Sequence, residues 1–121
     1  MKILVADNEP NIPRLFEQRF RKEYREEMVE LHFVTTAEET LAFLEEETHA
    51  GLILILAEFD TTAFNDLELL RLIRKEYPAI RIIKVSAYEN NELCQQVLAM
   101  GADDCMTKPL DFLLLKQKLQ L

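Results

Sequence analysis

The sequence predicts an α/β fold in which helices cover both faces of a doubly wound parallel sheet of five strands. Short apolar runs and amphipathic stretches alternate five times along the chain, and regular β–α alternation is typical of parallel sheets. Residues 52–57 contain no polar side chain, as expected of a strand covered on both faces. The 121 residues suit one domain, spanning residues 1–121.

The first half of the pattern gives two strands and two helices. Residues 2–6 form the first predicted strand, and residues 9–24 form a helix whose apolar side chains recur every three to four positions. Pro10 and Pro13 suit the first turn of that helix, where a missing N–H is tolerated. After a second strand at residues 29–34, Thr36 offers an N-cap, and Glu39 completes a capping box for the second helix.

The second half repeats the alternation three times. Residues 52–57, 81–86 and 104–107 are the third, fourth and fifth predicted strands, and residues 67–76, 91–100 and 110–121 are the helices that follow them. Pro78 ends the third helix and Gly101 ends the fourth. Lys84 lies within an apolar strand, where an unpaired charge is costly, so we expect it to snorkel or to pair with an acid.

Composition and charge exclude several classes of function. The net charge is −8 and the basic residues are scattered among glutamates, whereas a nucleic-acid binder needs a basic patch. No apolar run approaches the roughly 20 residues that span a membrane. Cys94 and Cys105 have no metal or redox spacing, so we expect two free, buried thiols and a reducing, cytoplasmic location. His32 is expected on a strand surface and His49 in a loop.

Polar residues follow the ends of the predicted strands. In an open parallel sheet these ends meet in one crevice. Acidic side chains there suit a divalent cation, and a lysine or hydroxyl suits anionic oxygens. The residues concerned are Asp7, Asn8 and Glu9 after the first strand, Glu58 and Asp60 after the third, Ser86 at the fourth and Lys108 at the fifth.

Five segments occur in order along the whole chain: ILVADNEP at residues 3–10, NDLELL at 65–70, VSA at 85–87, GADD at 101–104 and Lys108-Pro109. Together they resemble the receiver domains of bacterial two-component response regulators. The resemblance implies the flavodoxin-like fold of the chemotaxis regulators, with strand order 2-1-3-4-5 and five helices.

The resemblance also implies a phosphoacceptor position. Receivers accept a phosphoryl group on an aspartate seven residues before the position of Asn65, and here Glu58 stands at that position. Ser86 follows 28 residues later and Lys108 another 22, both of which are family intervals. By resemblance, Lys108 and Ser86 would contact the phosphoryl group, and a partner histidine kinase would supply it.

The resemblance further implies Mg²⁺, held weakly by Asp7, Asn8, Glu58 and Asp60. The alternative is an acidic pocket without metal, neutralised by Lys108. Because Mg²⁺ accepts many sets of oxygen ligands at octahedral geometry, both remain open.

The chain departs from the family pattern in four places, which makes it an atypical receiver. Asn8 replaces an acid, and Glu58 places its carboxylate roughly 1.3–1.5 Å further out than aspartate would. Thr61-Thr62 replaces methionine-proline, and Cys105 replaces an aromatic switch residue. Three hypotheses follow for Glu58: it imitates a phosphorylated aspartate, it pairs passively with Lys108, or it or Asp60 is phosphorylated.

The sequence therefore favours a signalling module that acts by protein–protein interaction and is not an enzyme. Expected partners are a histidine kinase, an output domain, or a second copy bound through the face from Asn91 to Leu121. The chain is either a single-domain protein or a receiver excised from a longer regulator. Two alternatives are a flavin-binding, flavodoxin-like electron carrier and an aspartate-nucleophile phosphatase. The acidic, glycine-free loop at residues 7–10 disfavours the first, and the absence of an Asp-x-Asp at residues 58–60 disfavours the second.

Overall fold

The computed structural model describes residues 1–46, 51–57, 66–87 and 91–121, with the side chain of Asp66 excluded. Its sheet has five parallel strands in the order β2-β1-β3-β4-β5, which confirms the predicted fold class and strand order. The strands are β1 Lys2–Ala6, β2 Glu30–Val34, β3 Leu52–Leu56, β4 Arg81–Ser86 and β5 Asp104–Thr107.

The described ranges contain six helices rather than the five that were predicted. They are α1 Ile12–Arg19, α2 Arg21–Arg25, α3 Ala37–Glu46, α4 Asp66–Glu76, α5 Asn91–Ala99 and α6 Phe112–Leu119. The extra helix arises because the first predicted helix is interrupted at Phe20, whose φ and ψ are −104° and 17°. The Phe20 N–H still donates to Phe16 O, and Tyr24 N–H donates to Phe20 O, so the chain bends there without losing helical hydrogen bonds.

Alternate strand residues fill two apolar cores, one on each face of the sheet. Ile3 and Ile55 belong to the core beneath α1 and α6, while Leu4, Leu54 and Leu56 belong to the core beneath α3, α4 and α5. β3 is buried along its whole length, as its uninterrupted apolar sequence predicts for a strand covered on both sides. The sheet is therefore rigid at its centre, and its strand ends are held in fixed register.

Two helix caps fix the start of the helices that follow β2 and β5 at the carboxyl edge of the sheet. Thr36 Oγ1 accepts a hydrogen bond from Glu39 N–H at 3.0 Å, which confirms the predicted N-cap. The Glu39 carboxylate turns back to Thr35 instead of Thr36, accepting from its hydroxyl at 3.0 Å. At α6, Asp111 caps the helix by accepting from Leu114 N–H at 3.0 Å.

Lys84 is buried and only 2% exposed, so the expectation that it snorkels to solvent is wrong, while its alternative, pairing with an acid, stays a prediction. Its ammonium donates to the carbonyl of Val85 at 3.2 Å. The strand is hydrogen-bonded on both sides, and its register pairs Lys84 with Leu56 on β3 and Cys105 on β5. Leu56 and Cys105 belong to or pack against the core beneath α3, α4 and α5, so the Lys84 side chain leaves the face of the sheet that these helices cover.

The cysteines also differ from expectation. Cys94 and Cys105 form a disulfide, and both are half-buried, so the prediction of two free, buried thiols is wrong. Sequence spacing could not reveal the pair because α5 and β5 approach each other only in the folded chain. The expected reducing compartment, which rested on free thiols, loses that support. Among the described residues, no helix is both long and apolar enough to cross a membrane.

Gly101, two positions after the last residue of α5, is expected to be intolerant of a side chain. Its φ is +122°, and an added Cβ would lie 2.6 Å from Arg74 Cγ. We expect Gly101→Ala to lower the free energy of unfolding by about 2 kcal/mol, through backbone strain and overpacking. Gly51→Ala is the matched control, since Gly51 has φ +74° and open space around it; it should cost about 1 kcal/mol. Urea unfolding followed by circular dichroism measures both, and equal losses would contradict the steric argument.

Candidate functional site

Asp7 forms the floor of the candidate site at the carboxyl edge of the sheet. It follows β1 directly and is 6% exposed, and its N–H donates to Val34 O at 3.0 Å. One carboxylate oxygen, Oδ1, accepts from Glu9 N–H at 3.0 Å, which turns the chain sharply toward α1. On the other side, Ala57 N–H donates to Ala6 O at 2.9 Å. The end of β3 therefore lies beside the end of β1.

Lys108 reaches across the strand ends to this carboxylate. Its ammonium lies 2.8 Å from Asp7 Oδ2 and 3.0 Å from Glu9 Oε2. The Lys108 N–H donates to Ser86 O at 2.9 Å, so the backbone after β5 is fastened to the end of β4. The Lys108-Pro109 peptide bond is cis. One cation thus joins residues that lie about a hundred positions apart in the sequence.

The charge on Lys108 is stabilised by its two acidic neighbours. Burial by itself would lower the pKa of Lys108, but the hydrogen bonds to Asp7 and then to Glu9 raise it above its ordinary value. A raised pKa means that the interaction stabilises the fold at neutral pH and is lost only as the pH rises through the alkaline range. Lys108 is therefore a fixed cation under physiological conditions.

The structure brings together three of the predicted site residues. Asp7 lies at the end of β1, Ser86 and Lys108 lie at the ends of the neighbouring strands β4 and β5, and Ser86 is buried. Asn8 follows Asp7 but is exposed. Glu58 and Asp60 lie outside the described residues, as do Thr61, Thr62 and His49. Glu9 was named in the sequence among the strand-end acids, and the structure pairs it with Lys108.

The oxygen-bearing side chains of the described residues supply only part of the ligand set that a divalent cation needs. Within those ranges, no three His, Cys, Asp or Glu side chains are arranged to hold a metal. Asp7 and Glu9 are both bound to Lys108, and Asn8 supplies only a neutral amide oxygen. Mg²⁺ commonly uses one or two carboxylates and retains several waters, so Asp7 fits as one ligand if Lys108 moves aside.

A surface cavity of about 700 Å³ opens next to Lys108, between the start of α1 and the loop that leads into α6. Its wall is apolar at Ile12, Leu15 and Leu110, and charged at Glu9 and Lys108. Leu113 also lines the cavity, and it is 71% exposed. The cavity therefore presents apolar side chains next to the charged groups at the strand ends.

A model of the response regulator receiver domain matches residues 3–120. The chain belongs to this family. No curated protein is significantly similar to this receiver domain in sequence. The family assignment confirms the resemblance drawn from the motifs and replaces the flavin-carrier and phosphatase alternatives. Receiver domains are signalling domains of two-component systems, which interact with kinases and output domains.

Three solved structures show how far the likeness extends. A CheY-like receiver domain protein from Methanospirillum hungatei has 26% identity and a TM-score of 0.80, with 98% of this chain and 90% of that chain covered. The response regulator TrrA from Thermotoga maritima, solved with Mg²⁺ and BeF, has 29% identity and a TM-score of 0.75, with 98% and 96% covered. A putative response regulator/GGDEF domain protein has 22% identity and a TM-score of 0.79, and this receiver domain covers 98% of its own length and 47% of that chain.

Proposed function

We propose that the chain is an atypical receiver that has Glu58 at the phosphoacceptor position and acts mainly by binding other proteins. The observation that carries the proposal is the Lys108 ammonium held on Asp7 and Glu9 at the strand ends. Glu58 directly follows Ala57 in the sequence. The Ala57 N–H donates a hydrogen bond to Ala6 O, next to Asp7.

Two features support a receiver without ordinary phosphorylation. The glutamate is one methylene longer than aspartate, and an error of about 1 Å in a positioned reaction can cost on the order of 100-fold in rate. Lys108 already neutralises Asp7, while Asn8 contributes no charge to a metal site. Glu58 then either imitates the phosphorylated aspartate beside Ser86 and Lys108 or pairs passively with Lys108.

Acetyl phosphate with Mg²⁺ tests the acceptor. We expect wild-type protein to show no added phosphoryl group, which is a gain of roughly 80 Da by intact-mass spectrometry. Glu58→Asp should show that gain, because the shorter carboxylate returns to the position that the reaction needs. Glu58→Gln, which has the same length but cannot accept, is the matched control.

The second candidate is a conventional, Mg²⁺-dependent phosphoacceptor that uses Glu58 or Asp60. It is supported by the TrrA structure, which contains Mg²⁺ and BeF at 29% identity. A wild-type adduct that Glu58→Gln removes would establish Glu58 as the acceptor. An adduct that only Asp60→Asn removes would establish Asp60. Either adduct would overturn the proposal of an atypical receiver.

Lys108 should limit Mg²⁺ binding, because it occupies the carboxylate that a metal would need. We expect Lys108→Met to tighten Mg²⁺ binding by about tenfold, since removing a cation a few ångströms from the metal is worth about 1.4 kcal/mol or more. Isothermal titration calorimetry at neutral pH measures the change. Lys75→Met, an exposed lysine on α4, is the control and should leave Mg²⁺ binding unchanged. Equal affinities in both variants would mean that Asp7 is not a ligand.

The proposed partners are a histidine kinase and an output domain or a second copy of the chain. The cavity beside Lys108 offers the kinase an apolar wall next to the acceptor edge. The face from Asn91 to Leu121 carries exposed leucines at positions 98, 113 and 114, which suit an apolar partner surface. The likeness to a longer regulator with a GGDEF domain supports an output domain in the same or another chain.

A further inference from the structure

The disulfide between Cys94 and Cys105 joins helix α5 to the edge strand β5. Their Cα atoms are 5.9 Å apart, within the usual range for a disulfide. We propose that this bond is a reversible redox site, which a dithiol reductant opens and a disulfide oxidant closes. The bond fastens α5 to the sheet in the oxidised state and releases it in the reduced state. The inference goes beyond the proposed function and does not require it.

The exchange is balanced by the reductant itself. A thiolate of the reductant attacks one protein sulfur, the S–S bond breaks, and the other protein sulfur leaves as a thiolate that takes up a proton. The second thiol of the reductant then attacks the mixed disulfide and releases the first protein sulfur. The protein gains two electrons and two protons, and the reductant becomes a disulfide. Closure is the same sequence in reverse, with a small-molecule disulfide as the oxidant.

The bond is accessible to such a reagent. Both cysteines are half-buried, and both line a surface cavity of about 310 Å³. The cavity is bounded by Asn91 on α5, Thr107 on β5 and Leu114 on α6. Exchange requires that the attacking sulfur reach the bond, and an open cavity beside both sulfurs meets that requirement. A disulfide buried in either apolar core would not.

Helix α5 buries few of its side chains against the sheet. Of its nine residues, Val97 alone is buried, and Leu98 is largely exposed. Helix α4, by contrast, buries Leu69, Leu70 and Ile73 against the sheet. A helix with one buried side chain gains little from packing, so opening the cross-link should loosen α5 more than any other element.

Strand β5 should keep its place when the bond opens. It pairs with β4 in register from Ile83–Asp104 to Ser86–Thr107. Lys118 on α6 holds it from the other side, with its ammonium 2.6 Å from Asp104 Oδ2. Lys108, which follows β5 directly, is anchored through Ser86 O and Asp7. The site edge therefore stays ordered in both redox states, and the change is confined to α5.

Alkylation of the full chain tests whether the bond exists and opens in the folded state. Protein purified in air is treated with iodoacetamide, without denaturant, before and after incubation with dithiothreitol. We expect no modified cysteine before reduction and two per chain after it, by intact-mass spectrometry. Reoxidation with oxidised glutathione should return the count to zero. Two modified cysteines before reduction, or none after it, would overturn the proposal.

Hydrogen exchange tests the release of α5. We expect the amides of residues 95–99 to exchange at least about tenfold faster in the reduced protein, with those of β4 unchanged. Cys94→Ser should show the fast rate without any reductant. Gln95→Ser, at an exposed position of the same helix, should keep the slow rate. Equal exchange of α5 in the oxidised and reduced proteins would show that the bond is not a switch. Because these measurements need no phosphoryl donor, they fail or succeed independently of the proposed receiver chemistry.

Discussion

Replacement of Arg74 by methionine is expected to lower the free energy of unfolding by about 4 kcal/mol, the largest loss that we predict. The guanidinium on α4 donates to Gly101 O at 2.7 Å, Pro78 O at 2.9 Å and Ile80 O at 2.8 Å. It also lies 2.7 Å from Asp103 Oδ2. Methionine fills similar space but donates nothing, so three carbonyls would lose a donor and Asp103 would lose its cation.

The loss of these hydrogen bonds should also affect the candidate site, because Arg74 fixes the turn that leads into β5. Asp103 also accepts from Ile82 N–H at 2.8 Å, so one carboxylate ties α4, β4 and this turn together. Arg74→Lys should recover less than half of the stability, since an ammonium cannot donate in all these directions. Arg71→Met, on an exposed position of the same helix, should change stability by less than about 0.5 kcal/mol. Urea unfolding measures the stability of all three variants. Similar losses of stability for Arg74→Met and Arg71→Met would show that the hydrogen bonds of Arg74 do not stabilise the fold.

The strands and their parallel arrangement could be predicted because they depend on local patterns, whereas the strand order was implied by the family resemblance. The apolar run of β3 and the regular alternation of strands and helices already imply a covered parallel sheet. The cap at Thr36 and the stop at Gly101 are also local, since each depends on residues within one helical turn. These features follow from short stretches of sequence and were confirmed in the described ranges.

Features that depend on distant contacts could not be predicted in this way. The bend at Phe20 lets its ring stack on Phe16, with centroids 5.8 Å apart, and meet Phe112 of α6 edge-on at 6.2 Å. Phe112 follows 92 positions later in the chain, so no local pattern can report the bend. The Cys94–Cys105 disulfide likewise depends on how α5 packs beside β5. Sequence patterns report elements, whereas such contacts depend on their assembly.

Part of the candidate site could be predicted from the sequence and part could not. Strand ends in a parallel sheet must meet, so the convergence of Asp7, Ser86 and Lys108 follows from topology alone. The choice of partner for Lys108 does not, because Glu9 is brought to it by a turn that Asp7 itself stabilises. Topology therefore predicts which groups meet, and local turn geometry decides which of them form ion pairs.

Lys116→Met is expected to cost about 3 kcal/mol at neutral pH, because it leaves the buried carboxylate of Glu23 without its cation. The Lys116 ammonium on α6 lies 2.7 Å from Glu23 Oε1 and donates to Arg19 O at 2.6 Å. It also stands 5.1 Å from the centre of the Phe20 ring. These contacts hold α6 against the junction of α1 and α2, where the chain bends.

The stability lost in Lys116→Met should decrease as the pH falls. The hydrogen bond from Lys116 lowers the pKa of Glu23 below its ordinary value of 4.5, against the opposing effect of burial. A lowered pKa in the folded state means that the ion pair contributes stability above the unfolded pKa and loses it as the pH falls through the folded pKa. The difference between wild type and Lys116→Met should therefore be largest near neutral pH and shrink below pH 4.5.

A double-mutant cycle separates the ion pair from simple loss of packing. Glu23→Gln combined with Lys116→Met should be more stable than Lys116→Met alone, because it no longer buries an unpaired charge. Gln117→Met, at an exposed position of the same helix, controls for methionine in α6 and should be neutral at every pH. A cost for Lys116→Met that stays constant from neutral to acidic pH would show that packing, not charge, holds α6 in place. If the stability lost in Lys116→Met instead becomes smaller as the pH falls, the Glu23–Lys116 ion pair is what holds α6 against α1 and α2.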